Sequence, residues 1–361
     1  MAWLKDVVKP GVRPKTHRTY ADFVKLHLAP ALGSIQLAKL TPQHVRTFLN
    51  EKLATPQTSR KKVNPGDPPE PGKPLSPRTV KHLLVTLRGA LESAVKDGMI
   101  PRNVAAVVDP PSVAKHQMKT FSAEQARTFL DAIAGDRLEA LFSTAIALAY
   151  RQGEALGLQW PDVDLDAGKV TIFRSLHRTK RRRDEDDPAP WFELRHPKTP
   201  GSRRTLDIPP VTVEALREHQ LKQREQRRLA DSSWKEQKLI FTTRLGTPVD
   251  TTNVLHRFHL ILEHAGIAKM RFYDLRHTHA SLLIAEGVHP KKIAERLGHA
   301  SIKLTMDLYG HLFEGSDQES ADRMQRLFGD LSKSGGATSG QNIVVFPDRR
   351  KPAKPEASSL G

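Results

Sequence analysis

Four stretches of the chain set cations, histidines or a tyrosine in apolar or tightly turned surroundings: ALAYRQGEALGLQWPDVDL, PKTPGSRRTLDIPP, FYDLRHTHASLLIAEG and LGHASIKLTMDLYGH. Together they carry Arg151, Lys198, Arg276, His299 and Tyr309. Arg151 follows an apolar run that reads as a buried helix, and Arg276 sits in the first turn of another. An arginine on a packed element cannot wander, and its planar fork can take two phosphate oxygens at once. Taken alone, each residue has a plainer reading. Arg151 could pair with Glu154, Arg276 could pair with Asp274 or Glu286, and Lys198 could be a solvated charge on a basic hairpin. The chain's four tyrosines are Tyr20, Tyr150, Tyr273 and Tyr309, so a tyrosine nucleophile has few candidates.

Several chemistries have no residues to run them. There is no cysteine, so thiolate metal sites, disulfides and thiol nucleophiles are excluded. His277 and His279 stand two apart, which points their rings to different sides of a helix, and no HExxH completes a metal set. No GxxxxGK[ST] loop offers a cradle for nucleotide phosphates. No cofactor and no metal are therefore expected. What remains is attack on a phosphodiester, where fixed guanidiniums and a histidine donor stabilise the charge that builds on the nonbridging oxygens. A tyrosine hydroxyl could be the nucleophile, and its covalent product keeps the phosphodiester energy for religation.

The composition suits a polyanionic partner. The chain of 361 residues has room for two domains and carries a net charge of +17 with a pI near 10.0. The charge is uneven, because residues 1–117 hold 19 Lys and Arg against 8 Asp and Glu, or +11. No apolar run of about 18 residues exists to cross a bilayer, and the start lacks a secretory pattern, so a cytoplasmic protein is expected.

The elements that must position these residues are legible from caps and periods. Lys15 to Leu28 has helical spacing; Thr41 with Pro42, and Ser76 with Pro77, open two further helices. Leu84, Leu87, Leu91 and Val95 form a stripe that ends near Gly98. The paired prolines of PRNVAAVVDPPSVAKHQMK mark an interdomain linker. Ser122 and Gln125 offer a capping box, and Leu138 to Tyr150 is apolar nearly all round. KVTIFR and RRTLDIP read as strands separated by a charged insertion, HRTKRRRDEDDPAP. Helices return over Val211–Ala230, Thr251–Ala265 and repeatedly from Asp274 to Phe328. The resulting division is a remnant at 1–11, a helical domain at 12–110, a linker at 111–119, a catalytic domain at 120–330 and a disordered tail at 331–361.

These motifs resemble those of the tyrosine recombinases, the phage-type integrases, from about Val12 to Phe328. In that family an RxGE arginine, a hairpin lysine, an HxxR element, an LGH element and a downstream tyrosine form one active site. Here RQGE supplies Arg151 with Glu154 in support, and PKTPGSRR supplies Lys198. LRH supplies Arg276 with Asp274 in support, LGH supplies His299, and the last element supplies Tyr309. The HxxR element departs: the sequence reads YDLR, so Tyr273 stands where the histidine is usual. A phenol donates hydrogen bonds but is a weak base near neutrality, and Tyr273 is expected to orient the phosphate. His277 and His279 are neighbours of that position and do not replace it.

The resemblance implies a mainly α fold with a small antiparallel β-sheet: a SAM-like core-binding domain and an α+β catalytic domain, closing on duplex DNA as a clamp. Arg78, Lys81, Arg88, Lys61 and Lys62 are expected to contact that DNA. The implied reaction is site-specific recombination through a 3′-phosphotyrosyl link and a Holliday junction, by a homotetramer on two sites. A C-terminal helix in GSDQESADRMQRLF, with Met324, Leu327 and Phe328, would dock on a neighbour. An accessory directionality factor is a further partner, no membrane is involved, and the setting is a bacterial nucleoid, a phage or a mobile element. Eleven leading residues cannot hold an arm-binding domain, so either the sites are simple or the start is truncated. Two rivals stay open: a type IB topoisomerase, and a noncatalytic DNA-binding regulator on the same fold. Finally, on one unbroken helix His299 and Tyr309 would lie about 15 Å apart. The chain must turn after Gly298 and His299, with Ser301 as a cap for the helix that carries Tyr309.

Overall fold

In the computed structural model, which describes residues 2–56, 72–114, 118–178, 192–196, 203–313, 321–322, 324–326 and 328, helices open where the sequence offers a cap. The chain forms two compact units, Met1–Gln117 and Met118–Gly361. Among its described residues the regular elements of the first are all helices: α1 (Lys9–Gly11), α2 (Pro14–Phe23), α3 (Ala29–Leu32), α4 (Pro42–Ala54) and α5 (Pro77–Lys96). Leu4–Val8 and Val24–Leu28, which lead into Pro10 and Pro30, wind as wider π turns. A proline ring clashes with the carbonyl four residues back, and a widened turn makes room for it. Thr41 and His44 close a reciprocal capping box on α4, and Ser76 accepts from the Thr79 amide on α5. Gly98 ends the helical stretch at φ +69°, a left-handed conformation suited to glycine.

Two further segments pack into this unit. Residues 2–11 are anchored, since Leu4 and Val8 are buried and Trp3 stacks on Tyr20. The stretch after Pro101 is tied down as well. Ala105 and Val108 are buried in the unit's core, and the Arg88 guanidinium donates to the carbonyls of Ala105, Ala106 and Val108. Arg88, expected to contact DNA, is occupied instead as an internal brace, while Arg78 and Lys81 are exposed on the same helix. Lys61 and Lys62 lie outside the described residues.

The second unit is built around the helix that reads as apolar all round. It comprises α6 (Ala123–Ile133), α7 (Glu139–Leu148), α8 (Gln152–Leu156), β1 (Val163–Asp164), β2 (Lys169–Ile172), β3 (Ser175–Arg178), β4 (Phe192–Arg195), β5 (Arg204–Asp207), α9 (Pro210–Ala230), α10 (Thr251–His264), α11 (Asp274–Ala285), α12 (Pro290–Leu297) and α13 (Ile302–Tyr309). Phe142 of α7 packs with Phe129, Phe258 and Phe272, rings from three other parts of the unit, and this aromatic knot centres the core. β2 pairs antiparallel with β1 and β5, in a register that sets Ile172 opposite Arg204. The charged insertion is not all loop. Its first two residues, His177 and Arg178, complete β3, which pairs with β4 in a separate hairpin, His177 opposite Glu193. Among the described residues no helix is long and apolar enough to cross a membrane. Residues 331–361 lie outside the description. The described C-terminal positions 321–322, 324–326 and 328 are helical, with Met324 and Phe328 exposed; Leu327 is outside it.

The Arg88 brace is testable. Arg88→Met is expected to destabilise the first unit by about 3 kcal/mol, because carbonyls are left without a charged donor. Hydrogen exchange of the α5 amides in the intact chain should show the loss, and Arg78→Ala should leave them within about 0.5 kcal/mol.

Candidate active site

Among the described residues of the second unit, Arg276 is the most buried cation, at 1% exposure. Its Nη1 donates to the Ala149 carbonyl at 2.8 Å and its Nη2 to the Leu297 carbonyl. Both acceptors sit at helix C-terminal ends, where free carbonyls and the helix dipole favour a cation. Neither Asp274 nor Glu286 is its partner; Asp274 accepts from the backbone and guanidinium of Arg271 and fixes the start of α11. Ala149 adopts φ +53° without being glycine, a conformation that costs energy and turns the chain between α7 and α8. Nε of Arg276 has no hydrogen-bond partner among the described residues.

Arg151 lies just ahead of α8, with Nη1 2.6 Å from Glu154 Oε1, and its side chain is 40% exposed. Glu154 also holds Arg204, whose Nη2 is 2.9 Å from Oε2 and whose Nε donates to the Arg296 carbonyl. The glycine of RQGE has a steric reason, since a Cβ on Gly153 would collide with the Ser175 hydroxyl of β3. Arg204 was absent from the sequence candidates. The signal was present, because in RTLDI the alternation puts Arg204 on the inward face with Leu206 and Ile208.

Electrostatics draw these groups into one field. Burial, then Arg151, with a smaller push from Arg204, lowers the Arg276 pKa to about 10, against opposing pulls from Tyr273 and Glu154. Burial pushes the Glu154 carboxyl up, but the charges and hydrogen bonds of Arg204 and Arg151 outweigh it and hold the group below its ordinary value. His299 is brought to about 4 by burial and by Arg276, Arg151 and Arg204, so its ring is neutral at pH 7. Its Nδ1 shares a 2.8 Å hydrogen bond with the Thr305 hydroxyl. The cluster is a fixed positive pocket in which, among the described residues, Glu154 is the one carboxylate acting on Arg276.

The turn between His299 and Tyr309 is present. α12 ends at Gly298, φ +62°, and α13 brings Tyr309 back against Ala149, Ala280, Ile284, Ile293 and Leu297. Ser301 is at the cap position of α13 but makes no capping bond. Tyr309 is 1% exposed, and its hydroxyl is 2.7 Å from Nδ1 of His277. Burial raises the phenol pKa, and Arg276 pulls it back in part. Tyr273 is exposed and packs edge-on against the His277 ring, centroids 5.1 Å apart. Sequence reading set His277 aside, although its spacing of four from Tyr273 puts both on one helix face. The structure thus assembles Arg151, Arg276, His299, Tyr273 and Tyr309 with Glu154, Arg204 and His277. Lys198 lies outside the described residues, and no group of acidic and histidine side chains that could hold a metal occurs among them.

Residues 119–315 match the phage integrase family, and residues 2–53 match the N-terminal SAM-like domain of phage integrases. A tyrosine recombinase XerC-like protein of Caldanaerobacter subterraneus subsp. tengcongensis is 31% identical, over 90% of this chain and 81% of its own. The ICEBs1 integrase of Bacillus subtilis is 28% identical, over 87% and 78%. The fold is similar to that of the Tn1549 transposon integrase solved with circular intermediate DNA, at TM-score 0.69 and 17% identity, covering 90% of this chain and 98% of that one. It is also similar to a lambda integrase tetramer on a Holliday junction, at TM-score 0.60 and 15% identity, covering 87% and 77%.

Two consequences of the electrostatics can be measured. Glu154→Gln leaves buried Arg204 without its counter-charge and is expected to cost about 3 kcal/mol in a denaturant melt. His299 resists protonation in the folded chain while an unfolded histidine takes its proton near pH 6.5. Stability must therefore climb as pH rises from about 4 to about 6.5, with His279 contributing over the same window. His299→Gln should make that climb shallower, and an unchanged slope would show that the ring is not held neutral.

Proposed function

The chain belongs to the phage integrase family, the tyrosine recombinases, and from that premise we propose how its residues share the work of site-specific DNA cleavage and rejoining. Tyr309 attacks the scissile phosphate, leaving a 3′-phosphotyrosyl link and a free 5′-hydroxyl. Arg151 and Arg276 hold the nonbridging oxygens, and Arg204 reinforces them through Glu154. The observation that carries this reading is the preformed positive pocket beside a buried tyrosine, because a phosphodiester supplies the negative charge the pocket lacks. When a phosphate offsets the arginines, the pKa of His299 rises, and Nε2 is the ring atom left to donate, Nδ1 being held by Thr305. Lys198 protonates the departing 5′-oxygen, and Tyr273 reaches the phosphate from the exposed edge.

A second strand's 5′-hydroxyl then attacks the phosphotyrosyl bond and completes the exchange. The lambda integrase tetramer on a Holliday junction supports the same assembly here: four copies on two sites, with the helical C-terminal residues around Met324 docking on a neighbour. The basic first unit, with exposed Arg78 and Lys81, contributes salt-dependent grip on the duplex. An accessory directionality factor and a place on the nucleoid complete the proposal.

The test uses a nicked duplex built from short direct repeats, once these have been mapped in the DNA that flanks the gene. The wild-type chain should form a covalent protein–DNA band, and Tyr309→Phe should bind the duplex yet form none. Binding without a band in the wild type would favour a noncatalytic regulator, and relaxation of supercoils without two-site exchange would favour a topoisomerase. Tyr273→Phe should slow band formation by about tenfold; full activity would remove its role.

A further inference from the structure

Tyr309 must lose a proton before or as it attacks, and the residues given roles above leave no acceptor for it. Guanidiniums do not accept protons near neutrality, and a phenol at position 273 is a poor base. His299 holds Thr305 through Nδ1 and sits in the field of Arg276, Arg151 and Arg204. His277 is different, because its Nδ1 lies 2.7 Å from the Tyr309 hydroxyl, inside the reach a general base needs. Both groups are buried, at 5% and 1% exposure, so the contact is shielded from water.

We infer that His277 is the catalytic base for Tyr309, one helical turn along α11 from the position where the family's motif places a histidine. The inference rests on Tyr309 being the nucleophile. The Tyr309 hydroxyl donates to Nδ1. As the Oη–P bond forms and the P–O5′ bond breaks, the phenolic proton passes to the imidazole, while the 5′-oxygen leaves with a proton from the general acid. In the second transfer the incoming 5′-hydroxyl gives its proton to the group that acted as general acid, its oxygen attacks phosphorus, and the Oη–P bond breaks. His277 then returns its proton to the phenolate, so the cycle closes with no net proton taken up. Burial, which disfavours the free phenolate, makes an adjacent acceptor necessary. Tyr273 gains a second task, since its edge against the imidazole fixes the ring plane that aims Nδ1 at Oη.

The intact chain and the nicked flanking-repeat duplex test this. His277→Asn keeps an acceptor oxygen near the Nδ1 position but cannot take the proton. It should bind DNA as the wild type does and form the covalent band about 10²–10⁴-fold more slowly. His277→Ala should be equally slow and should regain rate when free imidazole is added, whereas Tyr309→Phe should not. A histidine that merely packs or latches the tyrosine predicts otherwise. A His277→Asn rate within about threefold of the wild type, or a faster one, overturns the inference; so does a His277→Ala chain that binds DNA and gains nothing from imidazole. If the wild type forms no band, Tyr309 and His277 fall together; if it does and His277→Asn is undiminished, His277 falls alone.

Discussion

One buried guanidinium decides how the catalytic unit is put together. Arg276 reaches from the first turn of α11 to the carbonyls of Ala149 and Leu297, so a single planar group joins three helices at their ends. The Leu297 bond also bears on the placing of Tyr309. Gly298 follows at once, and the turn it makes starts the short path to α13 and Tyr309. Fixing Arg276 therefore fixes the cationic pocket and the path of the chain to Tyr309 together. The left-handed turn at Ala149 belongs to the same constraint, since its carbonyl is one of the two that receive the arginine.

Gathering arginines in a site with one nearby carboxylate is unfavourable in the free protein. Glu154 offsets part of the repulsion by holding Arg151 and Arg204, and helix-end carbonyls hold Arg276. The remaining field keeps His299 neutral and still leaves Arg276 charged at pH 7. Such a pocket needs little rearrangement when a phosphate arrives, which is how preorganised electrostatics lower a barrier. The tyrosine shows the opposite bias. It is held in an apolar cluster with its proton on, so its reactivity depends on what takes that proton.

Much of this was legible in the sequence because it depends on local rules. Thr41, Ser76 and Ser122 open helices for reasons contained within four residues, and the ten-residue gap from His299 to Tyr309 demands a turn on length alone. Other parts depend on partners distant in the chain. β3 was hidden at the edge of a charged insertion because Leu176 is its one buried residue and its register exists only opposite β4. Arg88 looked like a surface cation on an amphipathic helix, and its role as a brace appears only once the chain from Ala105 to Val108 folds over it. His277 was passed over because it falls outside the motif, although the i, i+4 relation to Tyr273 was in plain view. Motif position singled out Arg151 and Arg276, and helix geometry accounts for His277 meeting Tyr309.

The central claim is that this field serves Tyr309 and not the other exposed or buried phenols. Digesting the covalent protein–DNA adduct and sequencing the nucleotide-bearing peptide by mass spectrometry tests it most directly. The account predicts a 3′-phosphonucleotide on Tyr309, within the peptide that follows His299, together with a 5′-end open to kinase labelling. An adduct mapped to Tyr273 or Tyr150, or a free 3′-hydroxyl beside a 5′-phosphate link, would contradict it.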